Sequence, residues 1–375
     1  MVYADNAATT RISDSVFDKM VPFLREQYGN ASNLYSFGVK SRRAIESARS
    51  YVATAIKATP EEIIFTSGGS EGNSWILSSI TSGSIITSSI EHPSVLNACH
   101  ALKKRGIRIT YLPVDNNGIV SIEALKNSIS SDTKLVSIML ANNEIGTIQP
   151  IAEIGAFLKE NNILFHTDTV QAVGHIPIDV QELNVDFLTA SAHKFYGAKG
   201  VGFVYKRSDV DLPSYIWGGH QENGIRAGTE NVAGIVGLSC ALEKSITEMS
   251  IITKRLGEIT EYVTKEINSH IPEAKISAYK ADRLPGIINI TFDGVTGESL
   301  MHLLDLKGIC ISTGSACTSD KNEPSHVLKA IGLSDKRALS AIRISFGRYN
   351  TFQDAKSIAT EIVKTYKKII DLQRA

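Results

Sequence analysis

The chain has 375 residues, 43% of them hydrophobic, and its 39 Lys and Arg cancel its 39 Asp and Glu. Zero net charge excludes a basic nucleic-acid clamp or a polybasic membrane anchor, and the apolar content excludes global disorder. No stretch approaches the ~20 apolar residues of a spanning helix, the start MVYADNAATT carries no leader pattern, and the four cysteines form no C-x-x-C pair. The expectation is therefore a cytoplasmic protein of about two domains in a reducing compartment, acting on neither nucleic acid nor membrane.

In chain order, Ile45, Ala48, Val52 and Ala55 recur at steps of three and four, which predicts an amphipathic helix over Val39 to Ile56. Short β-branched runs follow: IIFT (63–66), SIIT (84–87), IRITYL (107–112), KLVSIML (134–140), ILFHTD (163–168), DFLTAS (186–191) and GVGFVY (200–205). Strand runs separated by helical stretches indicate a wound, mostly parallel sheet, and continuous apolar runs such as Leu135 to Leu140 suit strands covered on both faces. After about Gly237 a long helical pattern leads into IINITF, ICIS, a helix after Pro324, AIRISF and a terminal helix from Phe352. The reading is an α/β protein with a large domain over residues 15–245. A smaller C-terminal α/β domain covers residues 246–375, with residues 1–14 packing on it.

Ligands of open α/β sheets gather at the carboxyl ends of strands. There the chain carries SGGSEGN (67–73), a glycine turn leading into a helix that suits a phosphate; Asp168 and Gln171 after one run; and Ser191, His193 and Lys194 after the next. Lysine for a Schiff base, a carboxylate for a pyridine nitrogen and a phosphate cradle are the set that pyridoxal phosphate requires. Cys310 lies in an apolar run and reads as a small hydrophobe, whereas Cys317 lies in the polar, small-residue loop STGSACTS, where a thiol can react.

With DNAATT, SGGSEGN, EHPSV, NNEIGTIQP, HTDTVQAVG, SAHKFYG, GGHQENGIRAGTEN, STGSACTS and SAIRISFGR in order, the chain resembles the cysteine desulfurases of the class V aminotransferase family, of fold type I. The resemblance implies pyridoxal 5′-phosphate bound covalently by Lys194, with Asp168 at the pyridine nitrogen, Gln171 at the ring hydroxyl and His92 stacked on the ring. It implies further that Gly69, Ser70, Ser191 and His193 hold the phosphate and that Thr229 reaches the phosphate of the partner subunit in a homodimer. Asn143 and Arg343 are implied in substrate binding, although an arginine inside a strand equally suits a structural ion pair.

The implied reaction converts L-cysteine to L-alanine and leaves sulfur as a persulfide on Cys317, for an acceptor or scaffold protein in iron–sulfur assembly or tRNA thiolation. A selenocysteine lyase or another class V enzyme would not need the loop thiol, and a non-enzymatic sulfur carrier would not need the cofactor site. Cys310, Cys317, His302 and His326 lack zinc-type spacing, so no metal is expected. The chain departs from the family pattern at Ala31, Asn33 and Tyr35 of an early loop, at His220 and Ala198, and at Ser70, which keeps the hydroxyl of the usual threonine. The loop around Cys317 is expected to move between cofactor and acceptor.

Overall fold

The computed structural model describes residues 1–313 and 323–374. Its first half contains β1 (Val2–Tyr3), α1 (Asp14–Arg25), α2 (Ser36–Ala55), β2 (Ile63–Thr66), α3 (Gly69–Ser78), β3 (Ser84–Ser88), α4 (Pro93–Lys104) and β4 (Arg108–Leu112). These are followed by α5 (Ile122–Ser128), β5 (Thr133–Ser137), α6 (Ile151–Glu160), β6 (Leu164–Asp168), α7 (Val180–Leu183), β7 (Phe187–Ser191) and β8 (Gly202–Lys206). The rest comprises α8 (Val232–His270), β9 (Lys275–Ile276), β10 (Ile287–Thr291), α9 (Gly297–Asp305), β11 (Ile309–Cys310), β12 (Ser312–Thr313), α10 (His326–Ala330), α11 (Asp335–Leu339), β13 (Ala341–Ser345) and α12 (Phe352–Arg374).

Each β-branched run before Lys206 contributes to one seven-stranded sheet, ordered β2-β8-β7-β6-β5-β3-β4. Only β8 runs against the others, antiparallel to both of its neighbours. Successive side chains alternate between two cores because strand side chains point to opposite faces. Phe65, Ile86, Val136, Leu188 and Phe203 join the core under α2 and the start of α8, while Ile64, Ile85, Leu135, Phe187 and Val204 join the core under α3 and α4. Helices on both faces explain why these runs are apolar at every position.

The 39-residue α8 links this sheet to a second one. Ile235, Leu238 and Leu242 pack in the first core, and Leu256, Ile259, Val263 and Ile267 pack in another, with α9, α12 and the antiparallel sheet β12-β13-β10-β9. The N-terminus belongs to this second unit: β1 pairs in parallel with β11, and Asp5 forms an isolated bridge to Ser345.

Three details differ from the pattern read in the sequence. The first amphipathic helix starts earlier, at Ser36. The run ICIS is two strands, because the backbone changes partner at Ile311, from β1 to β13. In KLVSIML the strand ends at Ser137, although Ile138 and Leu140 still donate to the carbonyls of His166 and Asp168. The early loop is tied down by Arg42, which donates to the carbonyls of Ala31 and Asn33 at 2.9 and 3.2 Å. A Cβ at Gly38 would lie 2.5 Å from the carbonyl oxygen of Asn30, so the helix can approach the loop this closely only without a side chain there. No described helix is long and apolar enough to cross a membrane.

Candidate active site

A cavity of about 310 Å³ opens at the carboxyl ends of β2, β6 and β7, bounded on its far side by β13 and the N-terminal segment. All but two of the residues singled out in the sequence line it. Gly69, Ser70, Ser191, His193 and Lys194 come from the β2 and β7 turns; His92, Asn143, Asp168, Gln171 and Arg343 come from the remaining edges. Thr229 lies elsewhere, in a cavity of about 160 Å³ with Ser67, Arg226 and Glu230. Cys317 lies outside the described residues.

The cradle begins at Gly68, whose φ of 145° belongs to a region that side chains rarely enter. A Cβ at Gly72 would stand 2.7 Å from Thr189 Cγ2, so the start of α3 can pack against β7 only because that side chain is missing. The first N–H groups of this ten-residue helix have no intrahelical acceptor, and Gly69 and Ser70 from its first turn line the cavity together with Ser191 and His193. Burial, reinforced by the Lys194 and Lys199 charges, pushes His193 down to about 4. It is therefore a neutral hydrogen-bonding group at physiological pH, with Nδ1 3.1 Å from Thr9 Oγ1.

His92 caps α4. Its Nδ1 accepts from the Ser94 amide at 3.1 Å and lies 2.8 Å from Ser94 Oγ. Burial lowers its pKa, against the opposing pull of Asp168, so the ring is neutral; with Nδ1 accepting, its proton sits on Nε2. The sequence did not single out Asn73, which ties this imidazole to the carboxylate. Its Nδ2 donates to Ser94 Oγ at 2.9 Å and to Asp168 Oδ2 at 2.7 Å. Both amide protons are thereby used. Asp168, 5% exposed at the end of β6, also accepts from the Val170 amide at 2.9 Å.

Lys194 closes the turn after β7. Its Nζ donates to the carbonyls of Ala7 and Ala8 at 2.5 and 2.7 Å. Gln171 Nε2 donates to the same Ala7 oxygen at 3.0 Å, so the DNAATT segment forms one wall of the cavity through its main chain. Half-buried His175 supports the lysine turn by donating from Nε2 to the Lys194 carbonyl at 3.0 Å. Opposite, Arg343 in β13 is 3% exposed; it donates to Asp5 Oδ1 at 2.7 Å and to the Asn143 carbonyl at 3.0 Å. The alternatives read for this arginine are therefore not exclusive: it is ion-paired and it faces the cavity.

Two carboxyls that the sequence left unmarked lie behind these groups. Glu91 is fully buried and accepts from Ser88 Oγ at 2.6 Å and from the Met139 amide at 2.9 Å. Burial, with the nearby Asp168 charge adding to it, pushes Glu91 up to about 8 despite those donors. Glu144 accepts from Ser325 Oγ at 2.5 Å, and burial raises it to about 7 against the opposing effects of Ser325 and Arg343.

The donor set fits pyridoxal 5′-phosphate. A cradle closed to side chains stands beside a strand-end lysine and a buried carboxylate, and Asn73 Oδ1 has no partner among the described residues. The class V aminotransferase family model matches residues 2–358. A protein named cysteine desulfurase IscS from Dictyoglomus turgidum is 50% identical over 359 residues, covering 94% of this chain and 91% of that protein. A solved structure titled NifS-like protein superposes with a TM-score of 0.92 at 38% identity, covering 98% of this chain and 99% of that one. Another, titled SspA in complex with cysteine, gives a TM-score of 0.84 at 36% identity, covering 94% of this chain and 100% of that one. Matched from β1 to α12 in sequence and in fold, and with the strand-end lysine, carboxylate and anion cradle in one cavity, the chain belongs to the class V aminotransferase family.

Proposed function

We propose that the chain is a pyridoxal 5′-phosphate-dependent cysteine desulfurase that converts L-cysteine to L-alanine and collects the sulfur as a persulfide on Cys317. The observation that carries this reading is the grouping of Lys194, Asp168, the Gly68–Gly69 cradle and Arg343 around one cavity. In this reading Gly69, Ser70, Ser191 and His193 hold the phosphate, Gln171 meets the ring hydroxyl and His92 lies on the ring. Asp168, held by Asn73 and the Val170 amide, keeps a proton on the ring nitrogen. When bound, the cofactor supplies an electron sink that makes the substrate Cα proton removable.

The chain's own groups do the remaining work. Arg343 and Asn143 orient the substrate through its carboxylate. Lys194, once its amine is released, accepts the Cα proton. The Cys317 thiolate attacks the substrate sulfur: an S–S bond forms as the C–S bond breaks, the carbon ends as the alanine methyl, and the balance is L-cysteine plus thiol to L-alanine plus persulfide. An acceptor or scaffold protein then takes the sulfur. Residues 15–245 form the cofactor-binding domain, and residues 246–375, with 1–14, the domain bearing Cys317; the passage of α8 from one core to the other supports that boundary.

The working unit is a homodimer. Thr229 lines a cavity other than its own chain's Lys194 cavity, on a loop anchored by the ion pairs of Arg49 with Glu222 and Arg226 with Glu71. That arrangement suits a residue serving the partner's phosphate. The described cysteines, Cys99, Cys240 and Cys310, are free thiols, which suits the reducing cytoplasm. Incubation with L-cysteine and a thiol reductant tests the reading: alanine and sulfide should appear in equal amounts, and only in cofactor-loaded protein.

A further inference from the structure

Asp5 and Arg343 stand at opposite ends of the chain, yet Oδ1 of Asp5 lies 2.7 Å from Nη2 of Arg343. Backbone contacts hold the aspartate in place: it bridges to Ser345, and its carbonyl accepts from the Tyr3 hydroxyl at 2.9 Å. A guanidinium buried this deeply needs acceptors for its N–H groups. Arg343 has the Asn143 carbonyl and Asp5, while its Nε has no partner among the described residues. The Asp5 contact joins one oxygen to one nitrogen, so other N–H groups of the fork stay available to a ligand. Glu144, on the Asn143 loop and held by Ser325, also feels the Arg343 charge.

We propose that Asp5 is the positioning residue that presents Arg343 to the carboxylate of the amino-acid substrate. The inference rests on the reading of Arg343 as the carboxylate-binding group. It makes the acidic side chain of the DNAATT segment part of substrate selection as well as of folding.

The test compares L-alanine with ethylamine, the same amine lacking the carboxylate, by the absorbance change each causes in the cofactor-loaded full-length protein. Asp5→Ala should weaken L-alanine binding and raise KM for L-cysteine by about tenfold or more, with kcat within about twofold and ethylamine binding unchanged. Asp5→Asn should recover most of the loss, since its amide oxygen can accept the same N–H. Asp5→Ser, too short to reach Nη2, should match Asp5→Ala and replaces it if the alanine variant does not fold. Equal weakening of L-alanine and ethylamine, or tighter L-alanine binding, overturns the proposal. Arg343→Lys separates the two readings. If it abolishes the preference for L-alanine while Asp5→Ala does not, the role of Asp5 falls alone; if it leaves the preference intact, the reading of Arg343 itself falls.

Discussion

Replacing Glu91 with glutamine should change how stability depends on pH while leaving the fold intact. The glutamate carboxyl is buried, and its pKa rises from an ordinary 4.5 to about 8. The folded state thus binds this proton more tightly than the unfolded chain. The stabilisation is full below pH ~4.5, is lost as pH rises toward ~8, and is gone above that. At ~1.36 kcal/mol per pH unit, the gap between the two values sets a ceiling of ~5 kcal/mol. Glutamine is neutral throughout, and its amide oxygen can take over the donors Ser88 Oγ and the Met139 amide. The stability of Glu91→Gln minus that of wild type should therefore climb by roughly 1.4 kcal/mol per unit between pH ~5 and ~8 and then level off. Urea midpoints for both proteins at each pH give this difference, in which all other titrating groups cancel. In the wild-type-minus-variant infrared difference, which removes the contribution of Glu144, the band of a protonated carboxyl should also persist to neutral pH. A flat difference curve, or a band already lost at pH ~6, would refute the assignment of a neutral Glu91 beside the Asp168 charge.

Gly68→Ala forces a side chain onto a φ of 145° with its Cβ 3.3 Å from Ser191 Oγ, and should cost ~1–3 kcal/mol in urea denaturation. The same variant should lose more affinity for pyridoxal 5′-phosphate than for pyridoxal, which lacks the phosphate; equal losses would remove the cradle from the account. Lys194→Ala should bind the cofactor without the covalent link that borohydride traps in wild type, read as label retained after denaturation.

Much of the fold was legible because it is written locally. Strand runs such as Ile63–Thr66 and Phe187–Ser191 announce themselves by β-branched and apolar content, and the residues that follow them mark the sheet's ligand edge. Partner choice has no such local signature. Nothing in ICIS says that Ile309 and Cys310 pair with Val2 and Tyr3 while Ser312 and Thr313 turn to β13. The hydrogen bonds of Asn73 to Ser94 and Asp168, and of Asp5 to Arg343, bridge gaps of 21, 95 and 338 residues, so only the folded chain reveals them. Glu91 went unmarked within EHPSV, because burial, which sets its proton affinity, is a property of the packed core.

The central claim is that substrate sulfur passes to Cys317, and mass spectrometry after a single turnover without reductant tests it most directly. One additional sulfur should appear on the peptide containing Cys317, matched by one alanine released per chain. Cys317→Ser should carry none, although the absorbance of its bound cofactor still responds to L-cysteine. Sulfur found on Cys99, Cys240 or Cys310 instead, or alanine and sulfide formed by Cys317→Ser at the wild-type rate, would contradict the account.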